Sequence, residues 1–127
     1  VARAKEQADL VVVIMHLGAE YQQSPDEEQL AVSRAAVEAG ASLVVGHHPH
    51  VVQGTAAYGG GFIVYSLGNF VFDMDVGEGV REGAILRVLL GERGVEAAEL
   101  IPVSIVDDVQ PQFLRGEGGF PIVERVF

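Results

Sequence analysis

Two short apolar runs and the capped helix between them constrain this chain more than any other feature. Leu10-Val11-Val12-Val13-Ile14-Met15 is continuous and rich in β-branched residues, the mark of a strand covered on both faces. Ser42 to Val45 repeats the pattern. Between them, Ser24-Pro25-Asp26-Glu27 reads as a helix start, with a capping box from Ser24 to Glu27 and Pro25 at the first helical position. The helix sets Val32, Ala35, Ala36 and Ala39 on one stripe and Arg34 and Glu38 as an outward i,i+4 pair. Gly40 closes it as a left-handed cap. Strand, helix and strand in this order predict a βαβ unit with parallel strands and a right-handed crossover.

Residues 1–8 read as a helix turning at Asp9, and the grammar changes after residue 50. Residues 51–58 and 62–65 read as strands around Gly59-Gly60-Gly61, and Ala84–Leu90 with Val95–Val106 as a hairpin around Gly91-Glu92-Arg93-Gly94. The last twenty residues read mostly as loop. The expected class is α/β in one domain: a βαβ unit over 1–50, then a β-rich, antiparallel part over 51–127. With 127 residues, 49% of them hydrophobic, the chain can bury a core. Its 8 Lys+Arg against 18 Asp+Glu give a net charge of −10, which argues against nucleic acid as a partner. The absence of Cys excludes disulfides and thiolate chemistry. No apolar run approaches the ~20 residues of a membrane-spanning helix, and no targeting segment is recognisable. Val1-Ala2-Arg3-Ala4-Lys5 opens in what reads as the middle of a unit, so a portion of something longer is expected.

All four histidines fall at two strand ends. His16 ends the first strand, and His47, His48 and His50 end the second. Parallel strands finish at one edge of their sheet, where the ligand sites of α/β folds lie. Pro49 pushes His48 towards an extended conformation, in which residues two apart point the same way. His48 and His50 are therefore expected to converge with His47 turned aside, while Gly46 lets the backbone approach a bound ion. Two imidazoles at this spacing, with a third from the neighbouring strand, suit a divalent metal, with Mn, Zn and Fe all open. A phosphate site and a hydrogen-bonded turn are the competing readings. Glu20 and Tyr21 lie within reach of the same place, but a solvated loop is expected for Glu20 and core packing for Tyr21. Asn69 is either a contact to a ligand or substrate, or a turn residue capping backbone. Asp73, Asp75, Glu78 and Glu82 read as a mobile acidic loop. Ser66 lacks the first glycine of a nucleophile elbow, Ala84 stands where a calcium loop starting at Asp73 needs Glu, and Gly59-Gly60-Gly61 lacks the Lys of a phosphate loop.

His16-Leu17-Gly18-Ala19-Glu20-Tyr21, Ala39-Gly40-Ala41, Val44-Val45-Gly46-His47-His48-Pro49-His50, Gln53 and Tyr65-Ser66-Leu67-Gly68-Asn69-Phe70-Val71-Phe72-Asp73 follow one another in a familiar order and spacing. In these segments the chain resembles the bacterial capsule-synthesis proteins of the CapA type, implicated in poly-γ-glutamate biosynthesis. The resemblance implies a calcineurin-like metallophosphoesterase fold, an α/β/β/α sandwich holding two divalent metals. It implies His16 and His48 on one metal and His50 on the other, with His47, Asn69 and Glu20 as candidate neighbours of substrate or ligands. Leu17 stands where the family usually has Trp, and the upstream Asp-x-His, Gly-Asp and Gly-Asn-His motifs are missing. The chain thus looks like the C-terminal half of a larger domain, a hydrolase-like fragment expected to be inactive alone. The alternative is a non-catalytic assembly or export component that retains the fold. Implied partners are the missing N-terminal half or a second copy, with a polyanionic capsule polymer or a phosphoester as substrate. The resemblance also implies a membrane-associated or extracytoplasmic setting.

Overall fold

A computed structural model describes residues 1–73, 76–77, 79–107 and 109–114. Its first half builds the predicted unit. Strand β1 (Val12–His16), helix α2 (Glu27–Glu38) and strand β2 (Leu43–His47) follow the short helix α1 (Ala2–Lys5), and β1 and β2 pair in parallel, with His16 opposite His47. Strands β3 (Thr55–Tyr58) and β4 (Gly61–Val64) form a hairpin whose second strand joins β2 in parallel, giving the order β1-β2-β4-β3. The change of grammar at residue 51 therefore falls inside this sheet. Strands β5 (Glu82–Gly91), β6 (Gly94–Val106) and β7 (Gln110–Phe113) make a separate antiparallel sheet. The result is an α/β fold, parallel at its centre and antiparallel at its additions.

Several local expectations are corrected. The helix cap is Asp26, whose side chain accepts from the Gln29 backbone while the Gln29 side chain accepts from the Asp26 backbone. The box is thus Asp26–Gln29, two residues beyond the Ser24–Glu27 reading. Its buried face is Gln29, Ser33, Ala36 and Val37, so of the predicted stripe only Ala36 faces inward and Val32 is exposed. Arg34 and Glu38 converge on Tyr58 rather than forming a simple pair: the guanidinium carbon lies 5.4 Å from the ring centroid and the phenol donates to Glu38 at 2.7 Å. Strand β1 is not covered on both faces. It is the sheet's edge, and Val12 and Ile14 are 46% and 73% exposed. Residues 110–113 form a strand where loop was expected, and Pro111 is tolerated there because β7 is an edge. Glu82 opens β5 opposite Ser104 and is not part of an acidic loop; Asp75 and Glu78 lie outside the described residues.

Helix α2 covers one face of the four-stranded sheet. Ala36 and Val37 pack there with Ala41, Val44, Ile63 and Tyr65, and Val13 and Met15 of β1 add to the cluster. The opposite face, carrying Val12, Ile14 and Val45, turns towards β5 across an open cleft. The two sheets meet through residues 66–69. Gly68 bridges to Gly83, and Ala84 N donates to Leu67 O at 2.8 Å. Both glycines are required by contact: a Cβ on Gly68 would lie 2.6 Å from Glu82 O, and one on Gly83 1.9 Å from Asn69 O.

Gly46 is expected to admit an ion, but its space is already taken by protein. A Cβ there would lie 2.0 Å from the Tyr65 carbonyl oxygen, a backbone atom with no freedom to retreat. Gly46→Ala is therefore predicted to destabilise the chain by about 3 kcal/mol or more, at the upper end of overpacking costs. Denaturant unfolding of this variant checks it; a loss below about 1 kcal/mol would mean that residue 65 can move aside.

Candidate metal centre

The parallel register puts all four histidines around one cleft of about 790 Å³. His16, His47, His48 and His50 line it, with Val12 and Ile14 of β1, Asn69 to Phe72 of the connecting loop, and Ala84 to Leu86 of β5. His16 Nε2 lies 3.1 Å from His48 Nδ1, and the His48 and His50 ring centroids are 6.1 Å apart. The predicted convergence is present, but not for the reason given. His48 is not extended; its φ is 104°, and that of His50 is 62°. Both lie in the region that residues with a Cβ avoid, at a cost of order 1–3 kcal/mol each. Neighbouring backbone holds them there. Leu17 N donates to His47 O at 3.1 Å and Tyr21 N to Pro49 O at 2.8 Å, so the peptide before His48 and the peptide before His50 are tied to the loop after β1.

His47 is not turned aside. In register with His16, it points to the same face of the sheet and lines the cleft. Burial holds its imidazole below the ordinary pKa, and the neighbouring charge of His16 adds to this.

Asn69 makes both kinds of contact, one to backbone and one to His50. Its side-chain NH2 donates to Val80 O at 3.0 Å, and a carbonyl can only accept, so the amide oxygen must face His50. That oxygen sits 2.8 Å from His50 Nδ1, which must therefore carry the proton. In a neutral ring this tautomer leaves the lone pair on Nε2. Tyr21 and Phe72 flank the same ring at centroid distances of 6.1 and 5.2 Å. Tyr21 is thus not a core residue: it is exposed, has φ 63° and stacks on His50. Glu20, expected to be solvated, is exposed, yet it forms with His48 and His50 a group whose donor atoms all lie within 4.8 Å of one another.

Two glutamines that the sequence reading gave no role hold the loop in place. Gln29 Nε2 donates to Gln53 Oε1 at 2.8 Å, and Gln53 Nε2 donates to the carbonyls of Gln22 and Ser24 at 2.8 and 3.2 Å. Both side chains are buried. Gly18 adopts φ 110°, and a Cβ there would meet Gln29 Cδ at 2.4 Å. The signal available in sequence was the Asp26-x-x-Gln29 spacing, which marks Gln29 as a cap residue.

Residues 1–74 match the family described as bacterial capsule synthesis protein PGA_cap. The chain belongs to that family. It is 42% identical over 105 residues to the PGA biosynthesis protein CapA of Bacillus subtilis strain 168, covering 83% of this chain and 27% of that protein. It is 44% identical over 101 residues to the capsule biosynthesis protein CapA of Bacillus anthracis, covering 80% and 24%. An uncharacterized protein, y4sH, of Sinorhizobium fredii is 35% identical over 75 residues, covering 58% and 16%. The chain therefore spans about a quarter of the length of the two CapA relatives.

The lowered pKa of His47 has a consequence for stability. Between that pKa and the unfolded value of about 6.5, the unfolded chain binds more protons than the folded one, so stability rises with pH. In chelator, unfolding free energy is predicted to be level above about pH 6.5 and to decline as pH falls below it. Denaturant unfolding at a series of pH values checks this; His47→Gln is expected to flatten the decline, and an unchanged slope would contradict the assignment.

Proposed function

We propose that this capsule synthesis family member acts in poly-γ-glutamate or capsule biosynthesis and that His16, His48 and His50 hold a divalent cation. The observation that carries the reading is the 3.1 Å approach of His16 Nε2 to His48 Nδ1 from two separate segments. Two ring nitrogens this close need a proton or a cation between them. The second option is supported by the further donors beside this pair, since donor atoms of Glu20 and His50 lie within 4.8 Å of one from His48. Imidazole nitrogens with a nearby carboxylate suit Mn, Zn or Fe.

The finer reading is a metallophosphoesterase-like hydrolase. It is supported by a parallel sheet with a helix on one face, histidines at the carboxyl edge and a second sheet across the cleft. When bound, such a cation polarises a phosphoryl or carboxylate oxygen and lowers the pKa of water. The chain's own residues orient the imidazoles and give the cleft apolar walls through Val12, Ile14, Phe70 and Phe72. A pair of cations ~4 Å apart needs a bridging group, and beyond Glu20, whose carboxylate lies near His48 and His50, no acidic residue is found among the described residues lining the cleft. Hydrolysis would then depend on groups from the rest of a protein as long as its CapA relatives. The exposed Val12 and Ile14 face of β1 gives such a further part a place to pack.

The test is calorimetry of the full-length protein with Mn²⁺ or Zn²⁺, alongside a His48→Ala/His50→Ala variant and an assay on an activated aryl phosphodiester. Binding and turnover that both vanish in the variant support the hydrolase. Binding without turnover in the parent points to a non-catalytic assembly component, and heat unchanged in the variant ends the metal reading. Asn69→Ala, which frees the His50 ring, is expected to weaken the metal by about 10- to 100-fold; affinity equal to the parent's would show that Asn69 serves the backbone alone.

A further inference from the structure

Glu20, His48 and His50 place donor atoms that all lie within 4.8 Å of one another, and His16 meets this group at His48 Nδ1. Adjacent donors around a first-row cation with bonds of 2.0–2.2 Å sit roughly 3.4 Å apart, so small side-chain rotations bring the three onto one ion.

Exposed acidic side chains approach histidines by chance, so the backbone behind Glu20 decides the matter. Ala19 N donates to Asp26 Oδ2 at 2.9 Å, which ties the residue before Glu20 to the cap of α2. Tyr21 N donates to Pro49 O at 2.8 Å, which ties the residue after it to the turn between His48 and His50. Gly18, at φ 110° against the Gln29 side chain, sets the entry to this segment. Tyr21 takes the left-handed conformation and lays its ring on His50. Glu20 is thus presented from a fixed platform that also holds its two partners. On the far side, Asn69 fixes His50 with Nε2 free. Both flanks of the cluster are preorganised, which a solvated glutamate has no need of.

We infer that Glu20 is a further, carboxylate ligand in the divalent-cation site proposed for His16, His48 and His50. The inference rests on the proposed reading that His48 and His50 bind metal. It adds an oxygen donor within this segment, and that donor neutralises one of the cation's two charges. A set of two imidazoles and one carboxylate suits Mn²⁺ and Fe²⁺ as well as Zn²⁺.

The test is titration of the full-length protein with Co²⁺, followed by visible absorption, which reports the ligand set independently of turnover. Glu20→Gln keeps size and hydrogen-bonding capacity but removes the anionic donor. It is expected to weaken Co²⁺ binding by at least about tenfold and to shift the absorption bands, with an unchanged circular dichroism spectrum. Glu20→Asp is expected to recover part of the affinity. If Glu20→Gln binds Co²⁺ like the parent, with the same bands, while His48→Ala and His50→Ala lose it, the carboxylate role is overturned and the histidine reading stands. If the histidine variants also bind like the parent, both fall together.

Discussion

The hydrogen-bonded pair of Gln29 and Gln53 is the constraint on which the rest of the site depends. The two residues are 2% and 0% exposed, so every polar atom they carry must find a partner inside the protein. They find one another, and they also find the carbonyls of Gln22, Ser24 and Tyr65 and the backbone N–H of Asp26. Those partners belong to the start of α2, the loop after β1 and the end of the central sheet. Gln53 N also donates to Ser66 O at 3.1 Å, which carries the same tie into the loop that delivers Asn69. Apolar residues at 29 and 53 would pack as well but would leave the carbonyls of Gln22 and Ser24 without these donors. The pair therefore contributes position more than stability.

Position is what the strained backbone needs. His48 and His50 both sit in the left-handed region, with the rigid Pro49 between them. Such a conformation persists only where surrounding contacts outweigh its cost. Here they are backbone bonds from Leu17 and Tyr21 to the carbonyls of His47 and Pro49, and the buried Pro49 ring. The loop that supplies those bonds is the loop the glutamines hold. Strain at the histidines, left-handed Gly18 and Tyr21, and the buried amides are thus one mechanical unit.

Much of this was legible in the sequence, and what was missed has physical causes. The βαβ unit was readable because β-branched runs and a capped helix carry strong local signals. The gathering of His16 with His48 and His50 followed from topology alone, since parallel strands end at one edge. The dihedrals at His48 did not follow, because a pre-proline preference is local and two tertiary hydrogen bonds override it. Edge status was invisible: Leu10 to Met15 reads as doubly buried, yet Val12 and Ile14 are exposed because nothing in a single strand records its place in the sheet. Gln29 at a helix face looks polar and outward until its buried partner at residue 53 is known. Glu20 and Tyr21 lie in a loop with no periodicity, and only the fold brings them to the turn 47–50. Strand β7 is short, polar and carries Pro111, so it has almost no strand signature.

The edge position of β1 also shapes the chemistry of the cleft. His16 shares its face of the strand with Val12 and Ile14, so an apolar wall runs directly into the polar cluster. Phe70, Val71 and Phe72 extend that wall from the other side, and Phe72 touches His50. The same surface explains why burial lowers the pKa of His47 while the chain as a whole carries a net charge of −10. An acidic protein raises the local concentration of cations, and a neutral His47 beside the cluster removes a competing positive charge. On the proposed reading, long-range attraction and short-range preorganisation then act in the same direction, favouring a cation at the carboxyl edge of the parallel sheet.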